Sequence, residues 1–436
     1  MKVDVLIGLQ WGDEGKGKIV DFLTPHYDMI ARFQGGPNAG HTLHFEGKKH
    51  VLHTIPSGIF HQKVTNIIGN GVLVDPLVFR DEIIRIRERG FDPVQNLVIS
   101  ARSHLILPTH ILLDAAQERS RGTGLIGSTL KGIGPAYTDK YARQGIRAGD
   151  LLASNFMQMY SESKKRHLKL ASLYCNNVEE IRVGKNLTLQ EYEKQWLESL
   201  DLLRSFRIGD TEYLLHDALL KGKKILAEGA QGAMLDIDFG SYPYVTSSNT
   251  IAAGVSSGLG VAPGRIGKVF GVFKAYCTRV GSGPFPTELH DSDGELMRQR
   301  GGEFGATTGR PRRCGWLDLP AISYAAMLNG VTNLIMMKAD VLSVFPAIKI
   351  CTAYRVQNAI IERFGWQAQY NSPEPIYSEM PGWQSDIAAT ESLDQLPPTL
   401  KGFISFIEKT TGTDIAIVST GPGRTQTLAK EGFPSQ

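Results

Sequence analysis

An apolar run, Val3-Asp4-Val5-Leu6-Ile7-Gly8-Leu9, passes into Gln10-Trp11-Gly12-Asp13-Glu14-Gly15-Lys16-Gly17-Lys18 and then into Ile19-Val20-Asp21-Phe22-Leu23. The first run reads as a buried strand and the last as the opening turns of a helix. No other stretch restricts the fold as strongly. A strand feeding a glycine-rich turn into a helix N-terminus opens an α/β unit, and its unpaired backbone N–H groups form an anion site. Gly12, Gly15 and Gly17 carry no Cβ that would hold a polyphosphate off the backbone. Lys16 and Lys18 are expected to add charge for the outer phosphates. Gly12 to Lys18 has the spacing G-x-x-x-x-G-K of a triphosphate-binding loop. Two residues depart from that pattern. Ile19 stands where a magnesium-binding hydroxyl would be, and Asp13 places a carboxylate inside the loop. An acid among phosphates repels them unless it binds a metal or moves a proton.

Short apolar runs recur at 29–33, 224–227, 333–337 and 414–418. They lack clean alternation, as strands buried on both faces of a parallel sheet do. Helical patterns lie between them. Asp75-Pro76 opens one that carries Phe79, Ile83, Ile84 and Ile86 and stops at Gly90. Thr188 caps another, from Leu189 to Arg207, whose stripe of Leu189, Tyr192, Trp196, Leu200 and Leu203 reads as core packing. The expected architecture is α/β, a large mostly parallel central sheet with helices on its faces. It is expected to form one domain over residues 1–436, with 150–222 as a helical layer within it. Hydrophobic residues make up 42% of the chain, enough for a substantial core. A net charge of +3 with dispersed cations leaves no nucleic-acid footprint. Cys175, Cys277, Cys314 and Cys351 form no C-x-x-C pair and read as reduced thiols, not a zinc site. No apolar stretch approaches the roughly 18 residues of a membrane span, so a cytoplasmic chain with no membrane partner is expected.

Ligands of open parallel sheets bind beyond the carboxyl ends of the strands. Lys338-Ala339-Asp340 follows one such run. Its carboxylate can accept from both N1–H and the exocyclic amine of guanine, a pair adenine lacks, while the lysine stem covers the ring. Alone, this triplet is also an ordinary surface sequence. Ser419-Thr420-Gly421 forms a tight turn with N–H groups for a guanine O6. Gln34 to Thr42 is a second small-residue loop, containing Asn38, Ala39, Gly40 and the titratable His41. Gly127 to Tyr137 offers hydroxyls, Thr129 among them, for a further phosphate, with Arg143 and Arg147 close behind; a solvated surface loop reads equally well. Glu228-Gly229-Ala230-Gln231-Gly232 sets an amide where it reads a base edge or is a plain turn. Ala306-Thr307-Thr308-Gly309-Arg310-Pro311-Arg312-Arg313 joins hydroxyls to forked guanidiniums suited to carboxylates and phosphates alike.

Taken together, these motifs resemble the adenylosuccinate synthetase family, GTP-dependent ligases that join IMP and aspartate. The likeness runs from Gly8 to Arg424 and is most specific at Gln10–Lys18, Gly132–Tyr137, Tyr242–Thr250 and Gly305–Arg313. It implies that Asp13 is the general base for the N1 proton of IMP and, with the Gly40 carbonyl, a ligand of one Mg²⁺ per subunit. His41 is implied to donate to the phosphoryl group in transfer, Lys16 to hold the γ-phosphate and Gln231 to contact hypoxanthine. Implied GTP contacts run through Gly12, Asp13, Glu14, Gly15, Lys16, Gly17 and Lys18. They continue at Gly40, His41, Thr42, Arg312, Lys338, Ala339, Asp340, Ser419, Thr420 and Gly421. For IMP the resemblance implies Asp13, Glu14, Gly15, Lys16, Asn38, Ala39, Gly40, His41, Thr129, Gln231, Thr246, Val280 and Arg310. Arg143 would reach in from the second subunit of a homodimer. Aspartate falls to Ala306, Thr307, Thr308, Gly309, Arg310, Pro311 and Arg312. The implied chemistry passes through 6-phosphoryl-IMP, the first committed step from IMP to AMP. Ser128 and Leu130 depart from the family's usual residues in their loop.

The phosphate loop and K-x-D alone also suit a GTP-binding regulatory switch, and the loop alone a nucleoside kinase. Neither accounts for Asp13, His41, Gln231 and the 307–313 loop together.

Overall fold

The computed structural model describes all residues except 46, 123, 125, 306–308, 371–372 and 434–436, with backbone alone at 45, 367 and 370. Its centre is a ten-stranded sheet. From edge to edge the strands begin at Thr427, Ile415, Asn333, Ile266, Val3, Ile225, Met29, Thr65, Leu97 and Arg207. Every pairing is parallel except the antiparallel edge between Ile415–Ser419 and Thr427–Ala429. Strand Val3–Gly8 lies in the middle, flanked by Ile225–Glu228 and Ile266–Lys274. The strand ends at Gly8, Arg32, Glu228, Lys274, Met337 and Ser419 therefore point the same way and open onto one edge.

Alternation explains why the central strands read as unbroken apolar runs. Val3, Val5 and Ile7 enter one core with Phe273, Trp316 and Ile322. Leu6 enters the opposite core with Ile19, Val20 and Leu23 of helix Lys16–Leu23. Leu334 and Met336 divide from Ile335 and Met337 in the same way. Both faces are covered, so apolar side chains dominate both.

Helix Pro76–Arg87 starts as expected, with Asp75 Oδ1 accepting from the Leu77 and Val78 N–H groups at 2.9 and 3.3 Å. Thr188 and Glu191 form a reciprocal cap on helix Leu189–Arg204. Tyr192, Trp196, Leu200 and Leu203 are all buried. Burial of such side chains stabilises by roughly 1.5–3 kcal/mol each, well beyond the roughly 1 kcal/mol of a cap, so packing decides where this helix lies. It ends three residues before the expected Arg207, because Arg207–Gly209 pairs with Leu97–Ser100 as the sheet's outer strand. The 150–222 segment thus contributes an edge strand as well as helices, and its apolar stripe shares one core with residues 43–151. A smaller sheet, Leu317–Asp318, Ala347–Val356, Ala359–Ile361 and Glu374–Pro381, was not legible as strands in the sequence.

Candidate active site

Along the carboxyl edge of the sheet runs a cleft of about 1010 Å³, at the upper end of what single small-molecule sites enclose. The phosphate loop forms its floor. Gly12, Asp13 and Gly15 all adopt left-handed backbone, with φ of 87°, 60° and 93°, and Gly15 caps helix Lys16–Leu23. A Cβ on Gly17 would lie 2.7 Å from His41 Cβ, so only glycine lets the first helical turn close against the His41 loop. Glu14 turns away from the cleft. It is fully buried, accepts from the Gln10 and Gly12 N–H groups at 3.2 and 2.9 Å, and pairs with the Lys16 ammonium. A Cβ on Gly232 would sit 2.4 Å from the same carboxylate. The Glu14 side chain therefore shapes the loop from behind.

Asp13 remains about one-third exposed and forms a 2.8 Å ion pair with Arg312 Nε, whose N–H is not aligned for a hydrogen bond. Arg312 Nη1 donates to Glu303 at 2.7 Å. Glu303 is the hub of this end of the cleft. Its carboxylate is fully buried and also accepts from Lys274, Lys338 and the Tyr276 hydroxyl. Burial opposes its ionisation, but the charges of Lys274, Lys338 and Arg312 hold its carboxyl well below the usual range. Lys274, with no exposed surface, is lowered to about 8 by burial despite that carboxylate. The sequence reading missed Glu303; its one signal was an acid placed just ahead of an arginine-rich loop.

Lys338 takes left-handed backbone and donates to the Gly301 carbonyl at 2.6 Å, which ties the K-x-D turn to the hub. Burial pushes the Asp340 carboxyl up, and its Oδ1 has no hydrogen-bond partner. Lys18 differs from expectation. Its ammonium donates to Ser419 Oγ, the Gly421 carbonyl and the Gln426 carbonyl at 2.8, 2.7 and 2.8 Å. Burial lowers it to about 8 although Asp340 opposes the shift. This cation braces the 419–426 turn, which suits a role at that turn.

On the far side, His41 Nδ1 meets Glu228 and its Nε2 is buried without a partner. Asn38 Oδ1 and both amide atoms of Gln231 are likewise buried and unpartnered. Each such atom calls for an explanation, and at a cleft a bound ligand supplies one. Gln231 also has a left-handed φ of 56°. The loop around Thr129 is held from beneath, since Asp114 accepts from Ser128 Oγ and the Gly132 N–H, and Glu118 from the Gly127 N–H. Leu130 in that loop has φ 52°, a conformation that favours glycine. Arg279 joins the two remaining walls, donating to Ser241 Oγ, the Tyr244 carbonyl and the Ser282 carbonyl.

The cleft brings together Gly12, Asp13, Gly15, Lys16, Gly17, Lys18, Asn38, Ala39, Gly40, His41 and Thr42. It adds Thr129, Gln231, Thr246, Val280, Arg310, Arg312, Lys338, Asp340, Ser419 and Gly421. Glu14, Ala339, Thr420, Gly309, Pro311 and Arg143 do not line it. Ala306, Thr307 and Thr308 lie outside the described residues. Among the described residues one cluster has metal-ligating geometry, His110, Asp139 and His167. None of the three lines the cleft. Their polar atoms already satisfy one another, the Leu107 N–H, Thr109 and Arg166, as in a structural network.

The family model described as adenylosuccinate synthetase matches residues 5–428. The adenylosuccinate synthetase of Porphyromonas gingivalis is 55% identical over 430 residues, covering 99% of both chains. That of Bacteroides thetaiotaomicron is 54% identical over 430 residues with the same coverage. A solved structure, the fully ligated adenylosuccinate synthetase from Plasmodium falciparum, matches with a TM-score of 0.89 at 37% identity, over 99% of this chain and 100% of that one.

Proposed function

This chain belongs to the adenylosuccinate synthetase family of GTP-dependent ligases, which join IMP to L-aspartate, and from that premise we propose how its cleft carries the reaction. The observation that carries the reading is Asp13, a carboxylate in the left-handed turn of a phosphate loop, facing the same cleft as His41 and Gln231.

Asp13 takes the N1 proton of IMP as O6 attacks the γ-phosphorus of GTP, whose bond to the bridging oxygen breaks to release GDP. A carboxylate is a weak base toward a lactam N–H, so charge gathering on O6 has to be captured at once by the γ-phosphorus as the O6–P bond forms. Lys16 and His41 face the oxygens of that loose transition state and neutralise them. Gln231 holds the hypoxanthine edge, Asn38, Thr129 and Thr246 hold the IMP phosphate, and Val280 borders the ribose. The aspartate amine then displaces phosphate from C6 of 6-phosphoryl-IMP. Arg310 and Arg312, with the 306–309 loop, hold the amino acid's carboxylates in attack geometry, where positioning offsets several kcal/mol of barrier. Asp340 and the Ser419–Gly421 turn read guanine. The Asp13 carboxylate and the Gly40 carbonyl are hard oxygen donors that line the same cleft and would suit Mg²⁺. When bound, that ion supplies positive charge to the phosphate oxygens.

The functional unit is a homodimer in this reading. Arg143 is exposed, has left-handed backbone and does not line the cleft of its own chain, which suits a residue given in trans. Tyr141, Met157 and Leu173 leave apolar surface on the helices nearby. Gel filtration with IMP is expected to give twice the 47.9 kDa chain mass; a monomer with bound IMP excludes the trans arginine. A cytoplasmic location is part of the same proposal: the four cysteines are unpaired, and no described helix is long and apolar enough to cross a membrane.

An omission assay tests the whole. Ultraviolet absorbance is followed with IMP, GTP, Mg²⁺ and aspartate, leaving out each in turn. A purine change is expected only with all four. Reaction without aspartate indicates a kinase, and slow GTP loss without IMP a switch.

A further inference from the structure

Strand Ile225–Glu228 ends in a carboxylate that the chemistry above leaves unused. Glu228 is fully buried and does not line the cleft. Three donors converge on it. The Ser57 N–H donates to Oε2 at 2.8 Å, the Ser57 hydroxyl to Oε1 at 2.6 Å, and His41 Nδ1 lies 2.5 Å from Oε1. Holding both oxygens from one residue, Ser57 stops the carboxylate from turning. An ionised carboxylate accepts only, so the hydrogen of this contact sits on Nδ1. Burial would raise the Glu228 carboxyl, yet the His41 hydrogen bond, the charge of the buried Arg32 and the Ser57 hydrogen bond outweigh it and keep it low. The ring stands beside the Gly17 turn, where an added Cβ would lie 2.7 Å from the His41 Cβ. Its other nitrogen, Nε2, is the one left without a partner.

We propose that Glu228, clamped by Ser57, is the positioning residue that fixes His41 in the Nδ1–H arrangement and aims Nε2 at the phosphoryl group in transfer. This rests on His41 being the ring that faces that group. Whatever hydrogen bond the ring forms there is formed at Nε2, the nitrogen left without a partner. Partners one step behind the reacting groups typically matter by 10–100-fold when they orient a histidine. The side chain reaches no substrate, so its effect belongs in turnover and not in affinity.

Glu228→Gln tests the assignment. One amide oxygen cannot satisfy three donors, and the amide's own N–H groups need an acceptor, so the ring is expected to reverse. Nitrogen NMR on histidine-labelled protein, with His41→Ala to identify the resonances, should show Nδ1 protonated and Nε2 bare in the parent and the opposite in Glu228→Gln. Turnover should fall about 10–100-fold, while calorimetric Kd values for IMP and GTP change less than about threefold. A ring that does not reverse, unchanged kcat, or a kcat loss matched by equal losses of both affinities would each overturn the proposal. Ser57→Ala, which spares the carboxylate, serves if Glu228→Gln fails to fold. It should lower kcat about threefold to tenfold at constant affinity, and unchanged kcat counts against the clamp. His41→Ala separates this inference from the reading beneath it. If that variant is fully active, the role of His41 falls; if it is inactive while Glu228→Gln is normal, only the role of Glu228 falls.

Discussion

Arg312 Nε lies 2.8 Å from Asp13 Oδ2 while its Nη1 donates to Glu303 at 2.7 Å. One planar guanidinium thus joins the carboxylate of the phosphate loop to the carboxylate that gathers Lys274 and Lys338. Lysine offers a point charge in place of a fork and cannot span both. Arg312→Lys is expected to lower kcat/KM for GTP and for aspartate at least about tenfold while charge is conserved. Steady-state kinetics decide it; values within twofold of the parent would show that the fork is dispensable.

Asp13 and His41 are read as groups that act on charge and protons in the transition state. Removing such a group typically costs about 10²–10⁴ in rate. Asp13→Ala and His41→Ala should therefore lose kcat by about 100-fold or more, with GTP affinity by calorimetry nearly intact. Near-full kcat in either variant removes that residue from the chemistry.

Lys18 donates to three acceptors on the 419–426 turn and to none on the phosphate loop. Lys18→Met keeps the buried stem and deletes all three bonds. The turn proposed to read the base then loses its brace, so KM for GTP should rise about tenfold, with kcat at saturating GTP within about threefold. A variant that loses kcat and keeps its GTP KM would place this ammonium on the reacting phosphates after all.

Sequence patterns carried the fold where local physics and tertiary packing agree. Val3–Gly8 and Asn333–Met337 are apolar on both faces because both faces are covered, and Asp75 and Thr188 cap helices by rules that span four residues. The cleft lining was legible where glycines crowd a strand-to-helix turn, as in Gly12–Lys18, and where arginines follow small residues, as at Gly305, Arg310 and Arg312. Contacts distant in sequence were not. Lys18 meets Ser419 across 401 positions, and nothing in the spacing distinguishes a lysine that reaches a phosphate from one that reaches a neighbouring turn. Glu228 stood in view beside Gln231, but its value depends on His41, 187 positions away. The edge strand Arg207–Gly209 is three residues long, too short for any period to appear.

Asp318 shows how burial sets a pH dependence away from the cleft. It caps helix Leu319–Asn329 through the Ala321 N–H and accepts from the Tyr354 hydroxyl, while its Oδ2 is buried without a partner. Burial pushes its carboxyl up to about 6, against about 3.9 in an unfolded chain. Between those values the folded state holds a proton the unfolded state has lost, so stability falls as pH rises from about 4 to about 6, and above that the cost of the buried charge is complete. Asp318→Asn keeps an acceptor for both donors and deletes the charge, a gain of at most about 3 kcal/mol at neutral pH. Calorimetry should find Tm raised by a few degrees at pH 7.5 and by clearly less at pH 5. An equal or opposite shift at the two pH values would show that Asp318 is not the group responsible.

Asp340 offers the sharpest measure of nucleotide choice. Its Oδ1 is buried and lacks a partner, so a base that fails to satisfy the carboxylate leaves a desolvated acceptor behind. Guanine presents N1–H and an exocyclic amine side by side, whereas hypoxanthine presents N1–H alone. Leaving one such acceptor unpaired costs about 1–3 kcal/mol, which corresponds to roughly 5–150-fold in kcat/KM for GTP over inosine triphosphate. In Asp340→Ala no carboxylate remains to be disappointed. The amine of GTP then gains nothing, and the two nucleotides should be used with kcat/KM within about threefold, both through raised KM at nearly constant kcat. If the variant keeps the parent's preference for GTP, the choice of base is made elsewhere in the cleft, and the turn at Ser419–Gly421 becomes the element that must make it.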